Sequence, residues 1–147
     1  MARIGDMADP LVTVMPGQET CTARHAIRTA HTGTHRCATV QLAETALTGT
    51  CGDTPECVAR AICALTYAGE LDSAEEQCVR ALNRPDWRTD HYFVLLHARL
   101  KYLIGDCVLT AAMLTDLLAA EPPAEVRYPT VAWFVEALVH LDELDRA

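Results

Sequence analysis

The sequence is poor in lysine, in aromatic residues and in long apolar runs. Lys101 is the single lysine among 12 basic residues, and 5% of the 147 residues are aromatic. No apolar run reaches the roughly 18–20 residues that a membrane-spanning helix needs. The first residues, MARIGDMADPLV, lack the apolar segment of a secretory signal peptide. These absences disfavour a membrane protein and a secreted protein.

Positive charge is also scarce. The 12 basic residues stand against 20 acidic ones, which gives a formal net charge of −8. A chain of this charge has little general affinity for nucleic-acid phosphate. Seven cysteines, an odd number without an export signal, favour a reducing compartment and reduced thiols. We therefore expect a cytoplasmic protein that contacts neither nucleic acid nor membrane directly.

The sequence does contain an internal period of 36 residues. The stretch 61–82, AICALTYAGELDSAEEQCVRAL, has the pattern of two amphipathic helices around a turn at Gly69. The pattern returns 36 positions later in 97–118, with Gly105 at the turn, and Gly33 lies one period earlier. A fixed period of this length is typical of stacked helical hairpins. At this length the chain is able to bury a sizeable core.

Capping residues and prolines predict where the helices begin and end. Aspartate or threonine caps a helix start, Pro55 suits a first turn, and Pro122 stops a helix. Asp72 with Glu75 three residues later has the spacing of a capping box. The sequence therefore predicts an all-α fold of about seven helices: Glu19–His31, Arg36–Thr48, Pro55–Ala68, Asp72–Asn83, Asp90–Ile104, Asp106–Ala120 and Thr130–Leu141. These form hairpins 19–49, 54–84 and 90–121 and a half hairpin 129–147, after an irregular lead-in over 1–18.

The C-terminal residues predict an incomplete fourth hairpin. DELDRA at 142–147 matches GELDSA at 69–74, so a turn is expected at Asp142. The chain would then be a segment of a longer protein, or its last helix would pack against a partner. An uncovered apolar face usually sets up association, and aromatic residues dominate such contacts. We therefore expect a homodimer through this helix, anchored by Trp133 and Phe134.

The hairpins resemble tetratricopeptide repeats. The residues that carry the resemblance are Gly69, Ala74, Cys78, Ala81 and Pro85 in the second repeat and Gly105, Thr110, Leu114, Leu117 and Pro122 in the third. The aromatic residues preferred in the first helix of that motif are absent, and the period is 36 rather than 34 residues. The resemblance implies a right-handed superhelix of helix hairpins.

Two longer phrases are similar to a particular class of repeat. LTYAGELDSAEEQCVRAL and ARLKYLIGDCVLTAAMLTDLL look most like the sensor region of large ATP-binding LuxR-type bacterial transcription activators and related regulators of antibiotic clusters. Those repeats lie between a nucleotide-switch module and a DNA-binding helix-turn-helix. This sequence contains neither a GxxxxGK[ST] motif nor a basic recognition helix. The resemblance implies a non-catalytic module that binds a ligand or a protein partner.

The resemblance also implies a binding face. In stacked hairpins the first helix of each repeat lines the concave surface. The positions carried over are His31, Glu56, Tyr67, Tyr92, Arg99, Tyr102, Glu136 and His140. Arginine with several tyrosines suits a carboxylate, a peptide terminus or a flat ring. The alternative is that Tyr67 and Tyr102 simply pack between hairpins.

A second interpretation is a small helical enzyme or a zinc protein that uses the N-terminal His/Cys cluster. The residues concerned are His31, His35, Cys37, Cys51 and Cys57. His31 and His35 have zinc-ligand spacing but straddle a predicted turn, and Cys51 and Cys57 are more widely spaced than usual. No local pattern supplies a thiolate beside a base. We therefore assign no catalytic residue, cofactor or metal ligand. Glu70, Asp72, Glu75 and Glu76 are interpreted as charges at a helix start.

Overall fold

The fold is given by a computed structural model that describes residues 21–33, 35–88 and 90–146, with the backbone alone at 50, 51, 143, 144 and 146. The described residues form seven α-helices and a 3-10 helix, Thr50–Asp53, and no β-strand. The all-α prediction is confirmed. The helices are α1 (Thr22–Thr32), α2 (Arg36–Thr48), α3 (Pro55–Tyr67), α4 (Leu71–Leu82), α5 (His91–Ile104), α6 (Cys107–Ala119) and α7 (Ala124–Arg146). None of these is long and apolar enough to cross a membrane. The predicted lead-in and Glu19 lie outside the described residues.

Local capping chemistry explains the starts of α5 and α6, whereas the predicted threonine cap of α3, Thr54, makes no side-chain cap hydrogen bond. The Asp90 carboxylate accepts a hydrogen bond from the Tyr92 N–H at 2.9 Å, and Asp106 accepts one from the Leu109 N–H at 3.1 Å. Both predicted caps are therefore confirmed. The three predicted turn glycines all adopt positive φ angles, between 66° and 96°. Glycine reaches this left-handed conformation without a steric penalty, which is why it ends helices.

The predicted Asp72 cap is wrong. Helix α4 begins at Leu71, so Asp72 already lies in its first turn. The turn before α4 closes earlier than expected because the Glu70 N–H donates to the Leu65 carbonyl at 2.9 Å. The Glu70 carbonyl then accepts from the Ala74 N–H, also at 2.9 Å, which is the first hydrogen bond of the new helix.

The predicted seventh helix is too short at both ends. Helix α7 runs from Ala124 to Arg146 and includes Pro129. It starts early because the Pro123 carbonyl accepts from the N–H groups of Val126 and Arg127, at 3.0 and 2.8 Å, and because Val126 is buried. It continues past Leu141 because Asp142 occupies the position of Gly69, and aspartate pays a steric penalty in the left-handed conformation that ends a helix. The predicted turn at Asp142 is therefore wrong.

The chain divides within α4 into two compact units, of which unit 1 ends at Ala74 and unit 2 begins at Glu75. In unit 1, helices α1, α2 and α3 pack against one another. Their buried residues are mostly small, which allows the helices to approach closely: Ala23, Ala26, Ile27, Ala43, Ala46, Ile62, Cys63 and Leu65.

Contacts between α1 and α3 follow the sequence period. The Cys21 and Cys57 sulfurs lie 3.4 Å apart. The His31 and Tyr67 rings meet edge to face with centroids 5.1 Å apart. Each pair joins positions 36 residues apart, so equivalent positions of successive repeats touch each other in unit 1.

In unit 2, α5, α6 and α7 pack together. The core of this unit consists of Leu95 and Ala98 from α5, Leu114 and Leu117 from α6, and Val126 from α7. Five partly buried residues pack against this core: Tyr92, Val94, Met113, Trp133 and Phe134.

The outward face of α7 differs from the predicted one. Trp133 and Phe134 are half-buried against the core of unit 2, so they do not form the exposed apolar face. The exposed apolar residues are instead Val131, Val135, Leu138 and Val139, each between 44% and 53% exposed. Their spacing follows the helical repeat, so they form one continuous stripe, here called the α7 stripe. Trp133 and Phe134 face the core because α7 starts early. Val126 is then buried, and the residues one and two turns after it also point inward.

Candidate ligand-binding site

Helices α5 and α7 bring together three of the eight predicted site residues around Trp133. The Arg99 guanidinium lies over the Trp133 ring, 5.3 Å from its centroid. The Tyr102 ring meets the Trp133 ring edge to face at 5.2 Å and the His140 ring at 5.5 Å. We call Arg99, Tyr102, Trp133 and His140 the α5/α7 cluster. The sequence predicted Trp133 as an anchor of a homodimer rather than as a site residue. Trp133 and His140 are seven residues apart, and this spacing places both on one face of α7.

Burial and charge define what the α5/α7 cluster is able to bind. Arg99, Tyr102 and Trp133 are half-buried, and His140 is exposed, so the cluster opens to solvent at the His140 side. A partly desolvated guanidinium binds a carboxylate more strongly than an exposed one, because the local dielectric constant is lower. The tryptophan and tyrosine rings add a surface on which a flat ring stacks. The arrangement therefore suits a molecule that carries a carboxylate beside a ring.

The other predicted site residues lie elsewhere. His31 and Tyr67 contact each other in unit 1, and both are exposed. Tyr92 packs against the core of unit 2, and Glu56 is exposed on α3. Glu136 is exposed on α7 between Trp133 and His140. The packing alternative for Tyr67 agrees with its contact to His31 of the preceding hairpin, and Tyr92, for which the sequence predicted no packing role, also lies against a core.

An ion-pair network in unit 2 was not predicted. The Glu75 carboxylate contacts the Lys101 ammonium and lies 3.3 Å from His97 Nε2. The hydrogen bond from Lys101 holds the pKa of the Glu75 carboxyl below its ordinary value, and His97 lowers it further, whereas partial burial acts in the opposite direction. The side chain therefore serves a tertiary contact rather than the predicted capping box. The sequence shows that His97 and Lys101 are four residues apart and therefore share one helix face. It does not show that Glu75 is their acidic partner.

The histidines and cysteines proposed as zinc ligands are distributed over several contacts. His31 contacts Tyr67, Cys37 is exposed, and Cys57 lies beside Cys21. The Cys51 side chain lies outside the described residues. Within the described ranges, no three histidine, cysteine or acidic side chains are grouped closely enough to hold a metal ion.

Comparison with known proteins adds no relative. No protein-family model matches the chain, and no curated protein or solved structure matches it significantly.

Proposed function

We propose that this chain is a non-catalytic binding module of tetratricopeptide-like hairpins in a right-handed superhelix. Its role would be that of a sensor or interaction segment in a cytoplasmic bacterial transcription regulator of the LuxR type. Support for the repeat comes from unit 1, where Cys21 contacts Cys57 and His31 contacts Tyr67 at the sequence period. Support for the regulator comes from the resemblance of 65–82 and 98–118 to sensor repeats. The reading frame on either side of the chain tests this placement: an ATPase module upstream and a helix-turn-helix downstream are expected.

The observation that carries the binding role is the α5/α7 cluster. Polar and aromatic side chains from two helices converge there beside an apolar core, a combination typical of ligand sites. The favoured ligand is a molecule with a carboxylate next to a flat ring, or a peptide C-terminus with an aromatic last residue. Arg99 would hold the carboxylate, while Tyr102 and Trp133 would contact the ring.

Tryptophan fluorescence tests this proposal. The chain has two tryptophans, so Trp87→Phe leaves Trp133 as the reporter. Phenylacetate should change its fluorescence saturably, and the neutral analogue phenylacetamide should bind more weakly. Arg99→Gln should weaken phenylacetate binding about tenfold or more, because a hydrogen bond to a charged group is lost.

A matched control is available in the same unit. Arg84 lies over the Trp87 ring at 4.1 Å but is exposed, and Trp87 stacks on Phe93 rather than meeting a tyrosine ring. Arg84→Gln removes the same charge and should leave phenylacetate binding unchanged. Equal effects of the two arginine variants would contradict the assigned site, and so would equal binding of phenylacetate and phenylacetamide.

A further inference from the structure

The two ends of the α7 stripe carry opposite charges that the proposed function does not use. Arg127 lies one turn before Val131, and Asp142 lies one turn after Leu138. Asp145 follows Asp142 by three residues, so it lies on the same side of the helix. All three charged side chains are exposed. This side of α7 is therefore basic at its N-terminal end, apolar in the middle and acidic at its C-terminal end.

The spacing along this side of α7 is typical of a seam between two helices. Successive positions are separated by three or four residues: Arg127, Val131, Val135, Leu138, Asp142 and Asp145. Apolar residues at this spacing form the narrow stripe through which paired helices contact each other. Valine and leucine are among the side chains that fill such seams. The α7 stripe therefore has the form of one half of a helix pair.

The charges at the two ends favour one partner and one orientation. A second copy of α7 in parallel would place Arg127 beside its own counterpart and the two aspartates beside theirs, and like charges repel. An antiparallel copy places Arg127 of each chain near Asp142 and Asp145 of the partner subunit, so opposite charges meet at both ends. Antiparallel helices also align their dipoles favourably. The surface is therefore complementary to a second copy of itself, as a two-fold interface requires.

The contacts that these charged side chains make within the chain are compatible with such a pairing. The Arg127 Nη2 atom donates to the Pro122 carbonyl at 3.1 Å, and a guanidinium has several other N–H groups. Asp142 also interacts with a group of its own chain, and the two oxygens of a carboxylate accept several hydrogen bonds. Pairing between chains therefore does not require either side chain to give up its present contact.

We propose that α7 pairs with α7 of a second copy in an antiparallel, two-fold dimer. The α7 stripes of both chains form its apolar centre, and Arg127 of each chain forms ion pairs with Asp142 and Asp145 of the partner subunit. A single helix pair buries little surface, so the dimer is weak, with a dissociation constant in the micromolar range. The α5/α7 cluster uses another side of α7, so either assignment is able to fail alone.

Sedimentation equilibrium of the full chain tests the orientation by charge reversal. Arg127→Glu should weaken the dimer about tenfold or more, because a repulsion replaces an attraction at both ends. Asp142→Arg combined with Asp145→Arg should weaken it to a similar degree. A triple variant with all three substitutions again has opposite charges at its two ends, so it should dimerise like the parent protein. Since the triple variant contains the Arg127→Glu change, its recovery excludes misfolding as the cause of the loss.

A matched control reverses a charge on another side of the same helix. Glu136 is exposed on α7 and lies outside the α7 stripe, so Glu136→Arg should leave the dissociation constant unchanged. A parallel pairing would leave Arg127→Glu as strongly associated as the parent protein, and that result would disprove the proposed orientation. A triple variant no stronger than Arg127→Glu would disprove the ion pairs. A parent protein that stays monomeric at millimolar concentration would disprove a second copy as the occupant of the stripe.

Discussion

At the scale of single residues, Glu75 illustrates which side-chain roles are local and which are not. Asp90 and Asp106 cap their helices as the sequence predicts, because a cap depends on backbone groups two or three residues away. Glu75 lies three residues after Asp72 but pairs with Lys101 and His97, which are more than twenty residues distant in sequence. Helix propensity and residue spacing do not predict that contact, because it forms only after α4 and α5 have folded.

The pairing of Glu75 predicts a stability that depends on pH. Its folded-state pKa is lowered, so the unfolded chain takes up this proton more readily than the folded one. The contribution is therefore present at neutral pH and is lost as the pH falls through the folded pKa. Glu75→Gln should lower the free energy of unfolding by about 1 kcal/mol at pH 7, and the difference should vanish in acid.

Urea denaturation of Glu76→Gln provides the control for this prediction. Glu76 pairs with Arg80 at 2.5 Å, but both side chains are at least 60% exposed. A surface pair at this helical spacing contributes about 0.3–0.5 kcal/mol. A Glu75→Gln effect as small as that of Glu76→Gln, or one that persists in acid, would refute the role given to the network.

At the scale of helices, a glycine at the turn position determines whether a predicted turn forms. GELDSA and DELDRA are nearly identical, but the first spans the turn before α4, whereas residues 142–146 of the second lie within α7. Gly69 adopts a φ of 80°, and Asp142 replaces it in the later copy. The positions of α2, α3, α5 and α6 were predictable because the turn glycines, Pro55 and the caps Asp90 and Asp106 act locally. The length of α7 was not, because the buried Val126 outweighs the helix-breaking tendency of Pro129.

The register of α1 against α3 predicts a specific cross-link. The Cys21 and Cys57 sulfurs are 3.4 Å apart, and a disulfide requires about 2.05 Å, so a small movement suffices. Alkylation of the denatured protein without added reductant should modify all seven cysteines. Mild oxidation should then join Cys21 to Cys57 first and raise the melting temperature, because closing a loop of this length restricts the unfolded chain by about 3–4 kcal/mol.

Peptide mapping identifies the linked residues. Cys57→Ala removes one partner and should abolish both the cross-link and the gain in melting temperature. A first intramolecular disulfide that does not join Cys21 to Cys57 would contradict the packing of α1 against α3.

At the scale of the whole molecule, self-association remains a prediction, with different anchors from those that the sequence indicated. The α7 stripe offers a continuous apolar face, whereas Trp133 and Phe134 serve the core of unit 2. A two-fold dimer would bury this stripe from both chains. Sedimentation at several concentrations should show a dimer for the parent protein and a monomer for Val135→Glu and Leu138→Glu.

A charge placed elsewhere controls for solubility alone. Val108 on α6 is 69% exposed and lies outside the α7 stripe, so Val108→Glu should still dimerise. A parent protein that stays monomeric, or a Val108→Glu variant as monomeric as Val135→Glu, would contradict the assigned interface.

The central claim is that successive hairpins repeat every 36 residues and bring chosen aromatic side chains together. Two-dimensional nuclear Overhauser spectroscopy of the ring protons tests this claim most directly. Cross-peaks are expected between His31 and Tyr67, whose centroids are 5.1 Å apart, and between Tyr102 and both Trp133 and His140, at 5.2 and 5.5 Å. Trp87 and Phe93, stacked at 5.6 Å and close in sequence, provide the internal reference. A spectrum with the Trp87–Phe93 cross-peak but without the other three would contradict both the repeat register and the α5/α7 cluster.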